Sequence, residues 1–334
     1  MKPSLAFIDH HAHKNTKSGD FLKKIFANKY KVKHFYISNN LNFDSEIIKY
    51  DNFFCFQILP PLSLLKKIRS KNIMWAPMYD SNHYPYKFGK TIWDIAEYFN
   101  IKVLFFSKKL MKISNNNSFP NLFLKYFKKN EKIKFKKKKK IDIFSWYRGD
   151  QISDDFIKLL NPDDINKIYC VGLTTKKIER LKKITNKIIN IKSDFIKKKK
   201  FLSLMKKTDV FICPRLKEGI GISHVEAISY GKYLIAHNDS TMNEYINNKK
   251  IGYLLKKDKG IIRINDIFKY QNYRNQYAKK GFIKYSHQKE KILTLFKKKT
   301  DFNYSFCKEM ILNIKHIVLC INWKIKYALR IQNK

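Results

Sequence analysis

Between Asp209 and Leu255 the apolar and polar positions follow an ordered strand, turn and helix pattern. Val210-Phe211-Ile212-Cys213 is an unbroken apolar run stopped by Pro214, as expected of a strand covered on both faces in a parallel sheet. A loop with Arg215, Glu218, Gly219 and Gly221 follows. Ser223 fits a helix N-cap, Val225, Ala227 and Ile228 supply the packing side, and Gly231 fits a C-terminal glycine before a strand at Tyr233–Ala236. Further strands are predicted at Leu5–Ile8, Val32–Ile37, Ile73–Asp80, Val103–Phe106, Ile141–Trp146, Ile168–Val171 and Ile188–Ile191. Between them the pattern predicts helices at Phe21–Lys29, Asp154–Leu160, Thr175–Ile184 and Phe201–Met205, with helical sequence at Ile261–Phe268 and Tyr273–Phe296. Strands alternating with helices argue for parallel βαβ units.

In such a sheet ligands bind outside the carboxyl ends of the strands, and a glycine-flanked helix N-terminus accepts phosphate. Glu218 stands on the loop above a strand end and Glu226 in the first turn of the next helix. Two carboxylates beside a phosphate-binding backbone suit a sugar nucleotide, because each can accept hydrogen bonds from paired hydroxyls. Ser223 and Glu226 also satisfy the capping-box spacing, which gives Glu226 a structural alternative.

At 334 residues the chain exceeds the usual size of a single core. The lysine-rich stretch Glu131–Lys140 marks the boundary between a domain at 1–140 and a second at 141–300. The tail at 301–334 is a basic helix with a broad apolar side, which suits either a membrane interface or packing across the domains.

The stretch EGIGISHVE followed by AISYGKYLIA, with Pro214 before it and Glu244-Tyr245-Ile246 and Gly252 after it, resembles the signature of retaining group 1 (family 4) glycosyltransferases. Ile220 and Tyr233 depart from the common phenylalanine and proline, and neither change removes a polar contact. The resemblance implies the α/β GT-B fold, with two Rossmann-like doubly wound domains facing an interdomain cleft. It implies no cofactor and no catalytic metal, with a nucleotide-diphosphate sugar as donor and a carbohydrate or lipid-linked glycan as acceptor. Glu218 would then meet the donor sugar, the backbone of Gly219, Ile220 and Gly221 its diphosphate, and Glu226 the ribose. Arg148, at the end of the strand Ile141–Trp146, matches the family's diphosphate-binding arginine, whose fixed fork grips phosphate. The lysine common a few residues later has no clear counterpart in Gly149–Asp155, which leaves Arg215 or Lys217 as replacements. Lys17, Ser18 and Gly19 would approach the donor phosphate or the acceptor, and Asp80 and His83 the acceptor. The family setting is cytoplasmic assembly of surface polysaccharide.

The formal charge of +43 points at first to nucleic acid or an anionic membrane. Only seven of the 70 basic residues are arginine, however, and the lysines are scattered, so no specific nucleic-acid contact is expected. The runs Lys136–Lys140, Lys197–Lys200 and Lys297–Lys299 read as solvated faces or as a surface for phospholipid or polyanion. Five cysteines without metal or disulfide spacing read as reduced thiols. His10, His11 and His13 crowd the loop after the first strand and stay open between a polar loop and a metal site. No apolar stretch is long enough to span a bilayer, so the expectation is a protein that is soluble in the cytoplasm or peripheral on the inner face of its membrane. Two rival classes remain, a sugar-nucleotide epimerase or phosphorylase on the same fold, and a basic binding protein without activity.

Overall fold

The computed structural model describes residues 1–37, 45–79, 90–114, 118–131, 138–147, 155–173, 175–183, 185–191, 196–213, 215–239, 241–255, 257–298 and 304–332. The chain divides into two compact units, one formed by Met1–Leu124 with Gln288–Lys334, the other by Lys125–His287.

The first unit is built on a six-stranded sheet of β1 (Ser4–His10), β2 (Lys31–Ile37), β3 (Asn52–Phe56), β4 (Asn72–Ala76), β5 (Lys102–Phe105) and β6 (Asn121–Phe123). Every pairing is parallel and the order is β2-β1-β3-β4-β5-β6. The chain therefore moves one way from β1 to β2 and the other way from β3 onward, which puts the topological switch between β1 and β3. Leu5 to Ile8 are fully buried, as an apolar run in a central parallel strand should be. One core cluster joins Ile8, Phe53, Trp75, Trp93 and Phe105 to Leu312 of the C-terminal helix.

The two C-terminal helices, Glu290–Lys297 and Phe306–Gln332, belong to this unit. Phe296 packs edge-on against Phe26 and Tyr30, and its carbonyl accepts a 2.8 Å hydrogen bond from the buried Lys102 Nζ. Glu309 meets Lys66 at 3.0 Å, and Lys315 meets Asp94 at 3.0 Å. The tail is thus part of the first unit where the sequence suggested a separate segment, because these aromatic and ionic partners lie far from it in sequence.

The second unit carries β7 (Ile141–Trp146), β8 (Ile165–Val171), β9 (Ile188–Ile191), β10 (Val210–Cys213), β11 (Tyr233–His237) and β12 (Gly252–Leu255). They form a parallel sheet in the order β12-β11-β10-β7-β8-β9, so the switch lies between β7 and β10. The stretch Lys125–Glu131 joins this unit instead of the first, which sets the division at 124 where lysine composition suggested 140. Its aromatics explain the difference. Tyr126 packs on Tyr285, Phe127 packs on Tyr245 and Tyr277, and Glu131 N–H donates to Ser229 O.

Several local expectations change. The segment expected as a helix at Asp154–Leu160 is a short 3-10 turn at Asp155–Leu159, and the helical stretch Tyr273–Phe296 is two helices, Gln271–Gln288 and Glu290–Lys297. The polar loop after β1 contains a one-turn helix, His13–Thr16.

Candidate functional site

The loop after β10 and the end of β7 both lie at the switch of the second sheet, where an open parallel sheet holds its ligand. Glu218 is buried there. Its Oε1 accepts from Arg215 Nη1 at 3.2 Å and lies 3.7 Å from the Sγ of Cys213, the last residue of β10. Thr241 Oγ1 donates to Gly219 O at 2.5 Å and shares a 3.4 Å contact with Glu218 O. The loop is therefore pinned from the segment that precedes Glu244-Tyr245-Ile246. Lys217 is exposed on the same loop and Ile220 is buried beneath it.

Gly221 adopts φ +65°, a left-handed conformation that glycine takes without strain, and turns the chain into the helix Ile222–Ser229. Gly221, not Ser223, precedes that helix, so the expected serine cap is absent and Ser223 sits inside the first turn. The capping box is not formed either. Glu226 instead directs Oε1 to Lys198 Nζ, with Lys128 Nζ at 3.9 Å. The Glu226 residue is 5% exposed, and among the described residues its Oε2 has no hydrogen-bond partner. A buried carboxylate oxygen left this way is costly unless a ligand hydroxyl supplies the bond. Lys198 belongs to a run read as solvated. It begins the helix Lys198–Lys207, which follows β9, and only the folded chain brings it to Glu226.

His224, inside the EGIGISHVE stretch, is fully buried beside Tyr245, and neither ring nitrogen has a partner among the described residues. Burial, and secondarily the charge of Lys125, pushes its pKa down to about 3 from 6.5. The folded protein thus holds His224 neutral while the unfolded chain takes a proton below pH 6.5. Stability from this group is present above that value and is lost as pH falls toward 3. Between pH 7 and 4.5 it should cost about 2–3 kcal/mol. Urea unfolding at the two pH values should show this loss, and His224→Leu should reduce it.

Arg148, Asp80 and His83 lie outside the described residues, as does Pro214. In the first unit, Lys17 has φ 57° and closes the one-turn helix, Ser18 Oγ bonds Thr16 Oγ1 at 2.8 Å, and Gly19 leads into the helix Asp20–Ala27. Of the three, Gly19 lies against Asp9 at the carboxyl end of β1. Asp9, His34, Cys213, Thr241, Lys128 and Lys198 were not singled out by sequence. Of these, only Asp9 carried a local signal, as an acidic residue ending an apolar strand before a polar loop.

The two parallel doubly wound sheets define the GT-B architecture. Residues 155–283, all within the second unit, match the family described as glycosyl transferases group 1. Among solved structures, the chain is similar to a glycosyltransferase from Rickettsia africae ESF-5, with 13% identity over 89% of this chain and 98% of that one and a TM-score of 0.56. It is similar to S. aureus TarM, solved with Fondaparinux, alpha-GlcNAc-glycerol and UDP, at 16% identity, 74% coverage and a TM-score of 0.52. The chain spans 55% of the length of that TarM chain. It is also similar to WaaG, a glycosyltransferase involved in lipopolysaccharide biosynthesis, at 12% identity over 88% of this chain and all of that one, with a TM-score of 0.53. No curated protein sequence matches the chain.

Proposed function

We propose that the protein moves a sugar from a nucleotide-diphosphate donor to a hydroxyl of a carbohydrate or lipid-linked glycan, with retention and without a catalytic metal. The observation that carries this reading is the buried Glu226 carboxylate, with Oε2 lacking a partner among the described residues, on the helix that follows the Glu218 loop. Its role is to bind the ribose hydroxyls, with Lys198 yielding Oε1 when they arrive. Glu218 binds the sugar, and the Gly219, Ile220 and Gly221 backbone binds the diphosphate. Arg148, aided by Arg215, stabilises the charge that builds on the departing diphosphate. Lys17, Ser18 and Gly19 serve the donor phosphate or the acceptor, with Asp80 and His83 on the acceptor side.

The setting we favour is surface polysaccharide assembly, lipopolysaccharide, capsule or exopolysaccharide, in the cytoplasm at a membrane surface. Among the described residues no helix is long and apolar enough to cross a membrane. The helix Phe306–Gln332 exposes Met310, Ile311, Ile314, Ile317, Val318 and Ile321, and its Lys308 is exposed nearby. An apolar stripe with cationic flanks suits an anionic lipid interface.

The test is thermal stabilisation by a panel of UDP-, GDP- and CDP-sugars, run beside Glu226→Ala. A shift with one nucleotide that disappears in the variant supports the reading and names the donor. No shift with any of them, together with salt-sensitive binding to anionic vesicles, favours a basic binding protein instead.

A further inference from the structure

The lysine run that begins at Lys297 closes the helix Glu290–Lys297, and the donor site makes no use of it. This helix buries Ile292, Leu293 and Phe296 on the first unit, where Lys102 at the start of β5 holds the Phe296 carbonyl. Its other side presents Lys291, Thr294, Leu295 and Lys298, at the i, i+3, i+4 and i+7 spacing of one helix face. That face lies beside the edge strand β6. Between them runs an open groove of about 670 Å³, lined by these four residues with Lys297, Asn121 and Leu122. Through Phe296 it reaches the amino end of β5, whereas an open sheet holds its ligands at the carboxyl ends of its strands. The groove is therefore separate from the switch of its own sheet.

Lys291, Lys297 and Lys298 are exposed, and among the described residues none of them has a carboxylate partner. Lys66, Lys71 and Lys315 of the same unit each hold one. The positive field extends inward as well: burial, and secondarily the charge of Lys298, lowers the pKa of Lys102 to about 8. Lysines at a helix carboxyl end complement the helix dipole, which gives Lys297 and Lys298 a structural use. Lys291 stands in the first turn and opposes that dipole, so helix stability does not explain it. Three uncompensated ammonium groups around one concavity concentrate anions there.

The rest of the lining narrows the anion. Leu122 and Leu295 are half-buried, so the apolar groups line the groove without projecting from it. A bilayer fits poorly, because interfacial binding inserts protruding apolar side chains. A nucleic-acid strand would find no aromatic ring among the described lining residues on which to stack a base. A strand of acidic sugars fits every part. Its ring CH faces can lie on the leucines, its hydroxyls can bond Asn121 and Thr294, and its carboxylates or phosphates can meet the lysines. Lys291 and Lys298 stand about 10 Å apart along the helix axis, a span that suits a strand better than a single sugar.

We propose that the groove between β6 and the helix Glu290–Lys297 binds a strand of an acidic glycan, with its anionic groups paired to Lys291, Lys297 and Lys298. The choice of a glycan rests on the glycosyltransferase reading above, and the site holds that strand away from the reaction centre.

The experiment titrates the full chain at physiological ionic strength with oligogalacturonate, with a neutral maltooligosaccharide of equal length, and with phosphatidylglycerol vesicles. The variant K291Q/K297Q/K298Q should bind oligogalacturonate about thirtyfold more weakly, or about 2 kcal/mol for three exposed ion pairs. The control K24Q/K67Q/K112Q removes the same charge from three exposed positions on other helices of the same unit, and should lose less than about threefold. Thr294→Glu sets a carboxylate four residues before Lys298, a pairing that supports the helix, and should weaken binding about tenfold in folded protein. Equal losses in the groove and control variants overturn the inference, as does binding of the neutral oligosaccharide with the affinity of the acidic one. Loss of vesicle binding in the groove variant, with oligogalacturonate affinity unchanged, assigns the lysines to a bilayer and also overturns it. The titration needs no turnover. Absence of transfer from every UDP-, GDP- and CDP-sugar would thus overturn the function reading, while groove-dependent binding of oligogalacturonate would still support the site.

Discussion

Arg274→Met is expected to destabilise the second unit by about 3–5 kcal/mol, as several buried acceptors lose their donor at once. Arg274 is 2% exposed on the helix Gln271–Gln288. Its Nε donates to Gly231 O at 2.9 Å, Nη1 to Lys250 O at 3.2 Å, and Nη2 to Gln271 Oε1 at 2.6 Å and also to Ile267 O. One side chain thus ties together the end of the Glu226 helix, the turn before β12 and the helix Ile264–Lys269. Burial of the charge has its own cost and lowers the pKa to about 10, which a methionine would relieve. The loss of the carbonyl contacts outweighs that relief, because a methionine can satisfy none of them and the site is closed to water. Arg274→Lys should rescue little, since a single ammonium cannot span acceptors that the guanidinium fork reaches on several sides. Urea unfolding of each variant checks this, and a loss below 1 kcal/mol in Arg274→Met would refute it.

Arg274 also marks what the sequence could not disclose. Its partners come from three segments, and nothing local distinguishes it from a solvated arginine. The same holds for Lys102, buried with Asn72 Oδ1 at 2.6 Å and Phe296 O as partners, and for Lys198 at Glu226. Scattered lysine reads as surface, and these exceptions are set by contacts between distant elements. The strands were more legible. Val210–Cys213 was read with its observed bounds, since a strand in the interior of a parallel sheet keeps its apolar run unbroken, and so was the edge strand Ile188–Ile191, although Asn190 interrupts its run. β3 was missed, although Phe53 to Phe56 are buried and Asp51-Asn52 and Pro60-Pro61 flank the run with turn residues. At the candidate site, the spacing of Glu218 and Glu226 was visible in one continuous stretch. The groups that hold them, Arg215 aside, come from other elements: Thr241 pins the loop, and Lys198 and Lys128 approach Glu226. The helix start shifted from Ser223 to Gly221 for a local reason, since the left-handed glycine turns the chain before the serine is reached.

Glu218→Gln is expected to lower kcat for sugar transfer by about 10²–10³ while leaving stabilisation by the free nucleotide nearly unchanged. The substitution keeps the size of the side chain and removes its charge. Arg215 Nη1 at 3.2 Å from Oε1 will hold the amide oxygen of the glutamine, because the alternative sets an NH2 donor against a guanidinium donor. The NH2 group is then turned toward the position proposed for the donor sugar, where hydroxyls that had donated to the carboxylate meet a donor instead. The sugar is left misplaced relative to the diphosphate, and the barrier rises by the loss of a charge-assisted contact in a buried site. Glu226→Ala should show the opposite split, since its proposed partner is the ribose: nucleotide-induced stabilisation should fall, and transfer should recover in part at high donor concentration. Paired assays of thermal shift by nucleotide and steady-state transfer distinguish the two carboxylates. Near-wild-type kcat in Glu218→Gln would remove Glu218 from the sugar site, and equal loss of nucleotide binding in both variants would mean that they act together on the nucleotide.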